Sequence, residues 1–137
     1  MKKAMYFGLS LIMGLSVLFL SGCSSFRSIE EIKKANVFVV ATNAEFPPFE
    51  YIEGNEFKGL DMDIARIIAA ELGVPIDIQH MAFDAVIGSV TSNRADIAIA
   101  GLTISEERLA NVDFSKPYFN ASQVVLIKTD NQSISQS

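Results

Sequence analysis

Three short apolar runs, rich in β-branched residues, constrain this chain most. They are Val37-Phe38-Val39-Val40-Ala41, Ile76 to His80, and Ile97 to Ala100. Each is short enough for a strand, and the first has no polar break, as suits a strand covered on both faces. Helical patterns lie between them. Leu60, Ile64, Ile67, Ile68 and Leu72 fall at i, i+4, i+7, i+8 and i+12 and form one apolar stripe. Asp61 is well placed as the N-cap, and Gly73 followed by Pro75 stops the helix. Asp84 to Val90 and Ser105 to Ala110 read as two further short helices. Strands alternating with helices predict an α/β fold, a mostly parallel sheet flanked by helices.

Smaller features fit around that frame. Phe49 to Ile52 and Phe57-Lys58 flank Glu53-Gly54-Asn55 and predict a hairpin, while Pro47-Pro48 interrupts regular structure before it. Val112 to Phe114 and Ser122 to Ile127 are further extended candidates. No internal repeat is visible.

The amino end is of a different kind. Lys2-Lys3, an apolar run and then Leu20-Ser21-Gly22-Cys23 describe a secretory signal. Ser10, Ser16 and two glycines break the apolar run, and a spanning helix needs roughly 20 mostly apolar residues. Cys23 is the only cysteine, so no intramolecular disulfide can form. Its place directly after Leu-Ser-Gly resembles a bacterial lipobox, cut before the cysteine and lipidated on its thiol. The plain alternative is an ordinary signal peptide with a stray cysteine. A free thiol in an exported protein is reactive, whereas acyl chains hold a protein at a membrane surface without spanning it. The expected organisation is a signal at 1–22, a polar tether at 23–35 with a helical turn near Ile29 to Lys34, a lobe at 36–128, and a polar tail at 129–137. Losing Lys2 and Lys3 takes the formal charge from −5 to −7, and no basic patch remains that would suit a nucleic-acid partner.

In parallel sheets, ligands bind beyond the carboxyl ends of the strands. The loops there carry Asn43 to Phe46, Phe83, and Gly101 to Thr103. Arg108 offers a planar fork of donors that matches a carboxylate. Thr103 adds a hydroxyl and an N–H, the helix starting near Ser105 favours an anion, and Gly101 allows close approach. Together they predict a small carboxylate pocket, with Phe46 and Phe83 as apolar floor and wall. Each residue also has a plainer use. Thr103-Ile104-Ser105-Glu106 matches a capping box, so Thr103 is equally a cap. Arg108 has Glu106, Glu107 and Asp113 as possible ion-pair partners. Phe46 and Phe83 are of a type common in cores. Asp61 and Asp63 read as a cap and a first-turn acid. His80 is the only histidine, which leaves no Cys/His zinc cluster and no nucleophile with a base beside it.

As a linked set, ATNAEFPPFEY, GLDMDIARIIAAELG, AFDAVIGSV, ADIAIAGLTISEER and VDFSKPYF resemble the family 3 extracellular solute-binding proteins. These are the polar amino-acid receptors of ABC importers, and the resemblance runs from Val37 to Lys128. It implies a type II periplasmic-binding-protein lobe, no cofactor, a free amino acid as ligand, and permease subunits as membrane partners on the extracytoplasmic face. It also implies roles for single residues. Asn43 is the polar position after the first strand, Phe46 stacks on the ligand and Phe83 is the second wall. Gly101 and Thr103 bind the α-carboxylate, and Arg108 supplies its salt bridge. Many relatives carry Asp at the Asn43 position, so Asn43 speaks against a basic side chain. Where the family crosses a hinge into a second lobe, this sequence reaches Thr129 to Ser137, so it is expected to be truncated before that lobe. A lone lobe is expected to bind amino acids weakly or not at all. The alternatives are an enzyme on the same scaffold acting on a small carboxylate, with Glu45 as its candidate acid, a sensory input domain, or a non-binding one-lobe remnant.

Overall fold

The computed structural model of the chain describes residues 26–122 and 124–128. The expected signal, Cys23 and the tail after Lys128 lie outside those residues. The elements run α1 (Ile29–Ala35), β1 (Phe38–Thr42), β2 (Glu45–Phe46), β3 (Glu50–Glu53), β4 (Glu56–Lys58), α2 (Leu60–Leu72), β5 (Ile76–His80), α3 (Phe83–Thr91), β6 (Ile97–Ala98) and α4 (Glu106–Leu109).

Strand β1 lies at the centre of a parallel sheet ordered β5-β1-β6. Phe38 to Thr42 pairs in register with Ile76 to His80, and Val40-Ala41 pairs with Ile97-Ala98. Alternate residues of β1 serve different cores. Phe38 and Val40 pack with Ile32 of α1, Ala65 and Ala69 of α2, and Ile99. Ala41, with Val39 against it, packs with Val86 of α3, Ala95 and Ala100. Both faces of the strand are therefore covered, which is what its unbroken apolar run implies. Beside this sheet stands an antiparallel meander, β2-β3-β4. The hairpin expected around Gly54-Asn55 forms as Glu50–Glu53 with Glu56–Lys58. Strand β2 was not foreseen, because two residues carry no periodicity.

The polar stretch expected as a tether joins the fold from Arg27 onward. Ser28 caps α1 in a full capping box with Glu31, and Ile32 reaches the core. The Arg27 guanidinium donates to both oxygens of Asp96, which also accepts the Val39 N–H at 2.8 Å. The Asp96 side chain is only 4% exposed, so the guanidinium supplies the countercharge that its burial requires.

Helix α2 keeps part of its expected face, with Ile64, Ile68 and Leu72 packed against the core, and departs from it at two positions. Leu60 and Ile67 are 43% and 63% exposed, while Asp61, Met62, Ala65 and Ala69 are buried. The start of the helix sets this departure. The Leu60 N–H bonds the Pro48 carbonyl at 3.2 Å and the Asp61 N–H bonds the Phe49 carbonyl at 2.9 Å. The loop backbone thus satisfies the first orphan donors, and Gly59, not Asp61, takes the cap position with no side-chain bond. Ala65 and Ala69, one turn apart, then let the helix sit close on β1. Val112 to Phe114 and Val124 to Ile127 form no strand, and Val124 to Leu126 stand 79–92% exposed. Neither segment lies beside a strand edge that pairs with it.

Gly59 is the tightest backbone contact. Its φ is +114°, and a Cβ there would lie 2.2 Å from the Phe49 carbonyl oxygen. Gly59→Ala is expected to cost ~3 kcal/mol or more, from a disfavoured backbone conformation compounded by a backbone clash. Urea unfolding followed by circular dichroism measures this, and an unchanged midpoint would mean that the Pro48-Phe49 loop yields freely.

Candidate functional site

The parallel register brings the ends of β1, β5 and β6 to one edge of the sheet, so the loops after them are neighbours. The Asn43 amide donates to the Met81 carbonyl at 3.0 Å, tying the first loop to the second. The Ala44 N–H donates to Nδ1 of His80 at 3.1 Å, which leaves the other ring nitrogen to carry the proton of a neutral imidazole. His80 is therefore a loop-holding group. Glu45 is largely exposed, with its nearest carboxylate oxygen 3.9 Å from His80 Nε2.

Arg108 forms none of the ion pairs open to it in sequence. One guanidinium N–H donates to the Thr103 carbonyl at 2.8 Å, and the guanidinium carbon stands 5.5 Å from the centre of the Phe83 ring. Its other donors have no partner among the described residues. The cap of α4 is Ser105, whose hydroxyl accepts the Arg108 N–H at 3.3 Å. Thr103 is not the cap, and its hydroxyl and N–H have no partner among the described residues. Phe83 and Arg108 line a cavity of about 310 Å³ together with Asp84, Leu102 and Glu107. Phe46 and Gly101 meet elsewhere on the edge, where a Cβ on Gly101 would lie 3.2 Å from the Phe46 ring. Neither that cavity nor a larger hollow between the meander and α2 is lined by all six expected residues.

Two residues that sequence reading missed, Glu50 and Tyr118, and one that it took for a cap, Asp61, lie behind these loops. Asp61 is fully buried, accepting the Gly101 N–H on one oxygen and the Tyr118 hydroxyl on the other, both at 2.9 Å. Glu50 is 1% exposed, its Oε1 lies near Gly101 as Asp61 does, and its second oxygen, Oε2, has no partner among the described residues. Burial and the neighbouring Asp61 carboxyl push the Glu50 carboxyl up from 4.5 to about 8. Burial and the bond to Asp61 also raise the Tyr118 phenol well above its ordinary range, so it remains a donor. Thr42 Oγ is a second buried orphan nearby in the chain's fold, at the end of β1. Among the described residues no group of three or more His, Cys, Asp or Glu is placed to hold a metal ion.

The family model of the bacterial extracellular solute-binding proteins, family 3, matches residues 38–135. The chain belongs to that family. Its relatives include the arginine-binding extracellular protein ArtP of Bacillus subtilis, 34% identical over 82% of this chain and 44% of that protein. This family 3 chain spans less than half the length of the first curated relatives it matches. Among solved structures, the arginine-bound form of domain 1 from TmArgBP is 44% identical, with a TM-score of 0.65 over 67% of this chain and 74% of that one. The ancestral amino-acid-binding protein AncCDT-1, titled a precursor of cyclohexadienyl dehydratase, is 36% identical, with a TM-score of 0.71 over 78% of this chain and 48% of that one. These neighbours place the described residues in the type II periplasmic-binding-protein fold, and the relatives carry the names of binding proteins.

The two hydroxyls after β6 make separable predictions. Ser105→Ala should quicken amide exchange at Arg108 and Leu109 about fivefold, equivalent to ~1 kcal/mol of capping. Thr103→Ala should leave both amides unchanged. Equal effects would return Thr103 to a capping role.

Proposed function

We propose that this chain is the ligand-capturing component of an ABC importer for amino acids, holding the ligand's α-carboxylate outside the membrane and passing it to a permease. The observation that carries the reading is Arg108. Its guanidinium is oriented by the Thr103 carbonyl and the Phe83 ring, and no acid among the described residues takes up its remaining donors. A carboxylate meeting two of those donors and the Thr103 hydroxyl completes the set. Phe83 and Phe46, both substantially exposed, flank the rest of the ligand. Gly101 contributes close approach, since its N–H is already held by Asp61. Asn43 keeps its side-chain oxygen as an acceptor, because only its amide is held by Met81.

Cys23 as a lipidated residue after a signal at 1–22 fits capture at a membrane surface, and among the described residues no helix is long and apolar enough to cross a membrane. The names of the relatives support binding. Weak or absent binding was the expectation for one lobe by itself, for want of the closure that sequesters a ligand. The arginine-bound form of domain 1 from TmArgBP supports measurable capture by the described lobe instead.

Titration calorimetry of the chain with L-arginine, L-histidine and L-cystine tests the reading. At least one is expected to bind, and Arg108→Ala to weaken it at least tenfold, ~1.4 kcal/mol or more. No binding of any amino acid would sink the proposal, and undiminished affinity in the variant would reduce Arg108 to a packing residue.

A further inference from the structure

Glu50 and Asp61 are both essentially free of solvent and both meet Gly101: Asp61 accepts its N–H at 2.9 Å, and a Cβ there would lie 3.5 Å from Glu50 Oε1, while no Lys or Arg pairs with either acid among the described residues. Two adjacent buried charges of one sign are strongly disfavoured, so the pair keeps a proton. Both Asp61 oxygens are already acceptors, from the Gly101 N–H and the Tyr118 hydroxyl. Glu50 has no external donor and carries a buried oxygen with no partner. Glu50 is thus the member of the pair whose oxygens have room for the proton.

The position of this pair gives it a consequence. Phe46 and Glu50 are directly opposed across the β2–β3 ladder, so their side chains share a face. Both meet Gly101: a Cβ on that glycine would lie 3.2 Å from the Phe46 ring and 3.5 Å from Glu50 Oε1. Gly101 opens the loop that carries Thr103 and leads to Arg108, and Phe46 flanks the same edge.

We propose that Glu50 and Asp61 share one proton and that this protonated pair is the positioning element of the Gly101–Thr103 loop, so that ligand capture is coupled to the pair's titration. The proposal rests on the amino-acid-binding reading of that loop. Losing the proton would set two negative charges directly behind a pocket for an anion and push apart the groups that locate Gly101. The titratable groups that act on Glu50 are Asp61 from α2 and Tyr118 from the segment after α4. Strand β1 ends in Thr42, whose buried hydroxyl does not titrate, and β6 leads into the Gly101 amide.

The sign of the pH dependence follows from the raised carboxyl. Glu50 in the unfolded chain titrates near 4.5 and in the folded protein near 8. Its contribution to stability is full below about pH 4.5 and is lost as pH rises to about 8, because over that window only the folded state keeps the proton. Glu50→Gln is a neutral isostere of the protonated acid. Its melting temperature should match wild type near pH 5 and rise above it progressively towards pH 8.

The deciding experiment is an NMR titration of the 15N-labelled full chain, with calorimetry of L-arginine, L-histidine and L-cystine alongside. In wild type the Gly101 amide resonance is expected to move with a midpoint near pH 8, and in E50Q to stay still. For whichever amino acid binds, the wild-type Kd relative to that of E50Q should rise at least threefold between pH 7 and 9.5. Taking the ratio removes the ligand's own amino-group titration. A Gly101 resonance that is flat in wild type, or that moves identically in E50Q, overturns the shared proton. A titrating Gly101 with a constant Kd ratio overturns the coupling to capture. A titrating Gly101 with no amino acid bound at any pH upholds the proton and overturns the binding reading instead. Should E50Q fail to fold, the wild-type Gly101 titration still decides the first point.

Discussion

Everything in the lobe depends on covering β1 from both sides. Val40 and Ala41 are fully buried neighbours that point into different cores, one built with α1 and α2, the other with α3. A strand in that position has no wet face, so the polar groups that follow it are confined to its carboxyl end. Thr42, Asn43 and the loop to Phe46 emerge there, beside the ends of β5 and β6. The location of the candidate site is thus a by-product of how the core is closed.

A second constraint acts through backbone alone. The turn at Pro48-Phe49 presses two carbonyls onto the start of α2, leaving no room for a side chain at Gly59. Because those carbonyls satisfy the first helical N–H groups, the acid one step further on is released from capping. Asp61 turns inward and becomes the acceptor on which the meander, the loop after β6 and the segment around Tyr118 converge. Phe119, edge-on to Phe49 at 4.9 Å, holds the same segment from its other side.

The residues that were legible in the sequence are those whose signal is local. The β-branched run of β1, the hairpin around Gly54-Asn55 and the helix after Ser105 each depend on neighbours within a few positions. The make-up of the loop after β6 was visible for the same reason, since glycine, hydroxyl and guanidinium follow one another along the chain. Asp61 was misread because its partners are 40 and 57 residues away, and an acid in a first helical turn looks the same whether it caps or is buried. Glu50 was missed because hairpin alternation gives no sign of which face is wet; here the glutamate is buried and Ile52 is 47% exposed. In α2 the bulkier isoleucines drew the eye, whereas the alanines decide how near the helix approaches. Arg27 was invisible as a structural residue, since its partner Asp96 is 69 positions away.

If Cys23 carries a lipid, as proposed, the pairing of Arg27 with Asp96 would also bear on which way the lobe faces. It grips the chain just before β6 begins and beside Val39 near the start of β1, which is the sheet edge opposite the candidate site. Four residue steps separate Cys23 from Arg27, a reach of at most about 14 Å even when fully extended. A lipid on Cys23 would therefore leash the lobe closely by its back, with the carboxyl ends of the strands turned outward to the medium.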